Sequence, residues 1–168
     1  MPVRFAYADP PYIGQARRHY GSEAREVNHR LLVAHLMEFD GWALSCSSPS
    51  LREVLALCPP DVRVAAWVKP FASFKPGVNP AYAWEPVVFW GARQRSRDEL
   101  TVRDWCAANI TLERGTHGAK PLEFAAWLFV LLGIRPDDEF VDLFPGSGTI
   151  WRSWVAFCEQ WALELEGA

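Results

Sequence analysis

Two short stretches of the chain carry residues that could bind and orient a ligand. The first is Asp9-Pro10-Pro11-Tyr12, directly behind the alternating apolar run 3–8. Two consecutive prolines remove two backbone donors and restrict two φ angles, so the segment leaves regular structure rigidly. It presents one carboxylate, which can accept hydrogen bonds, and one aromatic ring, which can stack on a flat ligand. The alternatives are a plain rigid turn for the segment and a buried core aromatic for Tyr12.

The second stretch is 141–149, VDLFPGSGT. Gly146 and Gly148 allow a ligand to approach the backbone, and the helix that follows offers free amides and a partial positive charge to a carboxylate or phosphate. About 20 residues further on, Glu164 and Glu166 stand where an acidic side chain would bond the ribose of a nucleoside cofactor. The third glycine of the dinucleotide fingerprint is missing, which disfavours NAD. The alternative is an ordinary turn from strand to helix.

The hydrophobic pattern indicates the elements that position both stretches. Ser22 as N-cap, helical spacing after it and Gly41 as a stop predict one helix over 22–40, and Gly133 ends another. Alternation of strands with helices predicts an α/β fold with a mostly parallel central sheet and helices on both faces. Both stretches then follow strands, where ligands of such sheets bind. The predicted strands are 3–8, 42–47, 62–68, 85–91, 137–144 and 161–166, and the other predicted helices are 50–57, 120–133 and 148–160.

Composition limits the class of protein. The chain has 168 residues, half of them hydrophobic and nine of them tryptophan, which predicts one well-packed domain. Four widely spaced cysteines without a C-x-x-C pair predict reduced thiols and no zinc site, and we expect a soluble cytoplasmic protein with no membrane span and no metal. The net charge of −3 is unlike a dedicated nucleic-acid-binding module. Two arginine clusters, 17–18 and 93–103, are either local contacts to nucleic acid or solvated loops.

Taken together, these motifs resemble the amino-methyltransferases that use S-adenosylmethionine (SAM) to methylate an exocyclic amine in DNA. The resemblance rests on D9-P10-P11-Y12 after one strand and F144-P145-G146-S147-G148 after another. Between them, H117-G118-A119-K120-P121 is similar to the family's His-x-x-Lys-Pro segment. W84-E85-P86-V87 resembles its His-Glu strand, with Trp84 in place of the histidine.

The order of these motifs is similar to the circularly permuted class, in which the catalytic motif precedes the cofactor motif. The resemblance therefore implies a Rossmann-like methyltransferase fold and a single domain over 1–168. It would contain a catalytic half at about 1–91, a reduced recognition segment at about 92–116 and a cofactor half at about 117–168. Because so short a segment places few side chains in a DNA groove, we expect relaxed specificity, or a homodimer or separate partner that supplies it.

The resemblance also assigns roles to residues. The implied catalytic residues are Asp9, Pro10, Pro11 and Tyr12. The implied cofactor-binding residues are Asp142, Phe144, Gly146, Gly148, Thr149, Lys120 and Glu164, where Lys120 either bonds the cofactor carboxylate or caps its loop. The implied substrate-binding residues are Arg17, Arg18 and Phe74, where Phe74 and Phe71 form a wall of the site, a lid or core.

The chemistry implied is methyl transfer to the N6 amine of an adenine turned out of the duplex. Its lone pair is delocalised into the ring, and acceptors at Asp9 and Pro10 for both N–H groups would localise it. The aspartate-led motif favours adenine over cytosine N4. The alternatives are the same reaction on RNA or a protein amide, and a non-catalytic partner subunit.

Overall fold

The structure is a computed structural model of the chain. It describes residues 2–16, 21, 23, 25–71, 77–110 and 119–166, with the backbone alone for 164–166. The strands in this part are β1 (Arg4–Ala8), β2 (Gly41–Ser45), β3 (Arg63–Val68), β4 (Trp84–Trp90), β5 (Trp105–Ala107) and β6 (Glu139–Asp142). The helices are α1 (His29–Leu36), α2 (Leu51–Leu55, after a 3-10 turn at Ser48–Ser50), α3 (Leu122–Leu132) and α4 (Thr149–Glu166). Of the predicted site residues, Arg17, Arg18 and Phe74 lie outside the described residues, as does the Ser22 cap.

The strands form one mixed, mostly parallel sheet in the order β5-β3-β4-β2-β1-β6. The strand β1 runs parallel to β2 and to β6, and β3 runs parallel to β5. The strand β4 is antiparallel to both of its neighbours. Its first residues therefore lie at the same edge of the sheet as the carboxyl ends of the other described strands.

Helices cover both faces of the sheet, as the pattern predicts. Along β1, Phe5 and Tyr7 point into a core shared with α3 and α4, whereas Ala6 and Ala8 point into a core shared with α1 and α2. This alternation is the expected two-residue period of a strand buried on both faces. The helices that follow β1 and β6 thus lie on opposite faces, and in open α/β sheets this arrangement is typical of a ligand-binding site at the carboxyl ends of the two strands.

The first helix is shorter than predicted. It begins at His29, because the side chain of Asn28 accepts a hydrogen bond from the Leu31 amide (3.1 Å) and caps it. It ends at Leu36, and Gly41 is the first residue of β2. Residues 25–28 have no helical structure, so the prediction of one helix over 22–40 is wrong in its bounds.

The predicted strand 161–166 is also wrong, because α4 continues through it to Glu166. Trp154, Phe157 and Trp161 recur at spacings of three and four, and their rings contact in sequence at centroid distances of 5.8 and 5.9 Å. Such spacing places them on one side of a helix. Glu164, predicted to lie at the end of that strand, therefore lies in the last turn of α4, and its side chain is outside the described part of the structure.

The segment 92–116 is partly built into the fold. It contributes the short strand β5, and the Trp67 indole donates to the Ala108 carbonyl (2.9 Å). Arg93 pairs with Asp138 (2.6 Å) and donates to the Gly133 carbonyl (3.0 Å) at the end of α3. The guanidinium of Arg95 bonds to the Val130 carbonyl on the same helix. These two arginines serve the fold, because cations stabilise the carbonyl end of a helix.

Candidate active site

Asp9 lies at the carboxyl end of β1, where the two prolines end the strand. Pro10 is buried, and Asp9 and Tyr12 are partly buried. Two residues earlier, the Tyr7 hydroxyl is within 2.8 Å of the Ser45 hydroxyl on the neighbouring β2. The rigid turn therefore starts from a strand that is packed on both faces, which holds the Asp9 carboxylate in place.

Asp9 belongs to a cluster of four charged side chains, which we call the ion cluster: Asp9, Glu85, Lys120 and Lys69. The Lys120 ammonium is 3.0 Å from both Asp9 oxygens and 2.6 Å from Glu85 Oε1. The other Glu85 oxygen, Oε2, is 3.0 Å from the Lys69 ammonium. Side-chain exposure is 4% for Glu85, 5% for Lys120, 21% for Lys69 and 22% for Asp9. Two carboxylates and two ammonium groups balance in charge, as burial requires.

The topology explains how these residues meet. Lys69 follows the last residue of β3, and Glu85 is the second residue of the antiparallel β4, opposite Trp67. Lys120 stands just before α3, and its ammonium lies 5.2 Å from the centre of the Trp67 ring. The Lys69 ammonium lies 4.4 Å from the same ring. Both cations thus gain an aromatic face in addition to their carboxylates.

The cluster shifts the pKa of its members. Burial by itself raises the pKa of Glu85, but the charges of Lys120 and Lys69 outweigh it and lower the pKa to about 2. Burial would lower the pKa of Lys120, yet Asp9 and Glu85 hold it above its ordinary value. The pKa of Asp9 is raised by burial, an effect that Lys120 opposes and Glu85 reinforces. Asp9 is thus the more basic carboxylate of the pair.

Tyr12 faces the same cluster. Burial, together with the negative charges of Glu85 and Asp9, raises the pKa of its phenol well above the ordinary value of 10.0. The hydroxyl therefore stays protonated and can donate a hydrogen bond at any physiological pH. Stacking of Tyr12 on a base remains a prediction.

The glycine turn joins β6 to α4. Gly146 and Gly148 have φ of 47° and 73°, in the left-handed region that favours glycine. Ser147 Oγ accepts from the Thr149 amide (3.4 Å) and lies 2.8 Å from the Thr149 hydroxyl, so it stabilises the turn that leads into α4. The Arg152 guanidinium donates to the Ser147 carbonyl (2.9 Å) and the Thr149 hydroxyl (3.2 Å), which stabilises the turn from its own helix.

Asp142, at the end of β6, has one acceptor without a partner among the described residues. Its Oδ1 accepts from the Phe144 amide at 3.2 Å, whereas the buried Oδ2 has no hydrogen-bond partner in the described part of the chain. Burial raises the pKa of Asp142 to about 6, the Phe144 amide opposes the shift, and Asp9 adds to it. A buried, unpaired carboxylate oxygen is costly, and a bound cationic or N–H donor would relieve that cost. The Phe144 ring itself packs against the core on the α1 face.

The structure therefore brings the two predicted motifs together. Asp142 is in register with Tyr7, and the Leu143 amide donates to the Tyr7 carbonyl (2.9 Å), so the Asp9 turn and the glycine turn leave adjacent strands. Sequence reasoning missed Lys69 and gave Glu85 no role. The available signal was a glutamate at the start of an otherwise apolar strand, because a buried glutamate needs a cationic partner.

Comparison with known proteins identifies the fold. The crystal structure of the M1.HpyAVI–SAM complex superimposes with a TM-score of 0.63 at 16% identity, covering 94% of this chain and 79% of that one. A second crystal structure of M1.HpyAVI gives a TM-score of 0.55 at 15% identity, covering 94% and 77%. The chain has a methyltransferase-like fold. No protein-family model matches the sequence, and the search of the curated proteins found no match.

In the part of the chain that the structure describes, no helix is long and apolar enough to cross a bilayer. The four cysteines, all of them described, form no disulfide.

Proposed function

We propose that the chain is a SAM-dependent DNA methyltransferase that transfers a methyl group to the N6 amine of a flipped-out adenine, with little sequence specificity of its own. One observation carries the proposal. The Asp9 turn and the glycine turn leave the adjacent parallel strands β1 and β6 at the same edge of the sheet. An acceptor for an amine and a site for a cofactor thus lie side by side. The similarity in fold to M1.HpyAVI, which was solved with SAM, supports the same assignment.

The described residues fit the cofactor. The buried Asp142 Oδ2 has no donor among the described residues, and the ammonium of an amino-acid moiety would supply one. Gly146 and Gly148 leave the backbone open, and the start of α4 favours a carboxylate. When bound, SAM supplies an electrophilic methyl group on a sulfonium. Lys120 is bonded to two carboxylates, so in our proposal it acts on Asp9. No described side chain is assigned to the ribose, because the predicted strand 161–166, which contains Glu164, is part of α4.

On the substrate side, Asp9 and the Pro10 carbonyl accept the two N–H groups of the amine and draw its lone pair out of the ring. The Asp9 carboxylate does this best when ionised, because an ionised acceptor forms the stronger hydrogen bond. Tyr12 stacks on the base, a contact worth about 1 to 3 kcal/mol. The order of the motifs corresponds to the permuted class, with the catalytic half first and the cofactor half last. Arg17, Arg18 and Phe74 are proposed to contact DNA.

The test is methyl transfer from labelled SAM to unmethylated DNA, RNA and protein, followed by digestion and mass spectrometry of the products. We expect N6-methyladenine in DNA. Asp9→Asn should lower kcat by a factor of about 100 to 1000 and leave SAM affinity unchanged, because the cofactor contacts lie on β6 and α4. Asp98→Asn, at an exposed position, is the matched control. Methylcytosine, methylated RNA or methylated protein as the sole product, or no product, would contradict the proposal.

A further inference from the structure

The ion cluster divides the charge of Lys120 unequally between two carboxylates. Its ammonium is 2.6 Å from Glu85 Oε1 and 3.0 Å from each Asp9 oxygen, so the shorter contact is to the residue farther from solvent. An ammonium has three N–H donors, and one of them is committed to Glu85. Asp9 therefore shares the Lys120 ammonium with Glu85, whereas in an isolated Asp–Lys pair the aspartate would have all of its N–H donors.

Lys69 sets the position of Glu85. Its ammonium bonds to Glu85 Oε2 at 3.0 Å, so Glu85 lies between two cations and its carboxylate is held at both oxygens. Asp9, which is 22% exposed, and Lys69 at 21% are the more open members of the cluster. Asp9 is therefore the carboxylate of the cluster that is open to a ligand, whereas Glu85 and Lys120 are almost fully buried.

This arrangement matters for an acceptor of N–H groups. A buried aspartate without a cation is neutralised and loses its value as an acceptor, whereas one that is fully paired with lysine has little capacity left for a substrate. We propose that Glu85 and Lys69 are positioning residues that hold Lys120 between two carboxylates, which keeps Asp9 ionised yet available to the target amine. This inference rests on the proposed function for its catalytic part.

The charged groups around Asp9 determine the direction in which each substitution should shift its pKa. Six charged or titratable side chains interact with Asp9: Lys120, Glu85, Lys69, Tyr7, Tyr12 and Asp142. Lys120 and Lys69 lower the pKa of Asp9, and Glu85 raises it. Removal of the Glu85 charge should therefore lower the pKa of Asp9, and removal of either lysine should raise it.

The first experiment measures the Asp9 titration directly, by NMR of protein labelled at the aspartate carboxyl carbons, with Asp9→Asn for assignment. We expect the pKa of Asp9 to be highest in Lys120→Met, followed in descending order by Lys69→Met, the wild type and Glu85→Gln. If Lys120→Met fails to fold, Lys69→Met still tests the effect of a lysine on the pKa of Asp9. Lys69 is the more exposed lysine, so its replacement should disturb folding less. An Asp9 pKa that stays the same or rises in Glu85→Gln would overturn the inference.

The second experiment measures kinetics in the same variants. Glu85→Gln should lower kcat about tenfold or more with an unchanged KM for SAM, and should move the acid limb of the pH profile of kcat to lower pH. Lys69→Arg should restore the kcat that is lost in Lys69→Met. Glu139→Gln, which removes an exposed partner of Arg4, is the matched control and should leave kcat unchanged. An unchanged kcat in Glu85→Gln would overturn the catalytic part.

The two experiments separate the two proposals. The NMR titration needs no turnover, so it tests the cluster even in a protein that methylates nothing. Absence of methyl transfer by the wild-type protein would contradict the proposed function and the catalytic part of this inference. The pKa ranking would still decide whether Glu85 and Lys69 control Asp9.

Discussion

Replacement of Glu85 by glutamine removes the carboxylate that lies between two ammonium groups inside the protein. In the wild type, Glu85 accepts from Lys120 at 2.6 Å and from Lys69 at 3.0 Å, and only 4% of its side chain is exposed. Glutamine keeps the size and one acceptor oxygen but loses the charge. The variant therefore leaves two buried or half-buried cations with Asp9 as their remaining carboxylate among the described residues of the cluster.

The expected loss of stability follows from the pKa of Glu85. Its pKa is lowered from an ordinary 4.5 to about 2 in the folded protein, so its contribution is present above pH 4.5 and is lost as the pH falls toward 2. A difference of about 2.5 pH units corresponds to about 3 kcal/mol of unfolding free energy. Removal of one partner from a buried ion pair lowers the free energy of unfolding by a similar amount, roughly 3 to 5 kcal/mol. We expect Glu85→Gln to lose about 3 kcal/mol at pH 7 and roughly half of that near pH 3.

The assay is urea unfolding monitored by the fluorescence of the nine tryptophans, at several pH values from 3 to 7. Glu139→Gln is the control, because its partner Arg4 and Glu139 itself are about half exposed, and it should change stability by less than about 1 kcal/mol. Two results would contradict this prediction. One is a loss below about 1 kcal/mol in Glu85→Gln at pH 7, and the other is a loss of equal size at pH 3 and pH 7.

Three further predictions concern the cofactor site and the core. Gly148→Ala should weaken SAM binding, measured by calorimetry, about tenfold or more. Gly77 has a similar φ (75° against 73°) but lies in open space, so Gly77→Ala should leave SAM binding unchanged. Equal losses of affinity in the two variants would contradict a local effect at Gly148. SAM affinity should fall about tenfold between pH 7 and pH 5, because Asp142, with a pKa of about 6, must be ionised to accept a cation. Calorimetry of Asp142→Asn should show weak and pH-independent binding, and a pH dependence equal to the wild type would contradict this role. Trp154→Ala should cost about 3 to 5 kcal/mol in urea unfolding, whereas the half-exposed Trp151→Ala should cost about 0.5 kcal/mol or less; similar losses would count against the packing described here.

Local patterns predicted most of the elements because their causes are local. The apolar run 120–133 forms α3 and ends at Gly133 with φ of 70°, as the glycine predicts. The double proline ends β1, and Gly146 and Gly148 form the turn before α4. Errors arose where two local signals competed. Asn28 caps the first helix, although helical spacing extends further toward the N-terminus.

The end of the chain shows the same competition. The run 161–166 alternates in a way that is typical of a strand, but Trp161 packs against Phe157 one turn earlier and continues α4. The outer edge of β6 is free in the described sheet, yet the run does not add a strand there. Packing on an existing helix decided the conformation, since short apolar runs do not distinguish helix from strand.

The amino-acid sequence is sufficient to predict which side chains leave the sheet at strand ends: Asp9 behind two prolines, and Asp142 ahead of the glycine turn. These positions follow from turn chemistry, which acts over a few residues. The position of β6 beside β1 and the antiparallel direction of β4 follow from the folded sheet and are not encoded in any local pattern. That direction places Glu85 at the edge of the sheet where Lys69 and Lys120 lie. Lys69 is 16 residues and Lys120 is 35 residues from Glu85 along the chain. Strand order and direction depend on burying both faces of the whole sheet, so the ion cluster around Asp9 is a property of the fold as a whole.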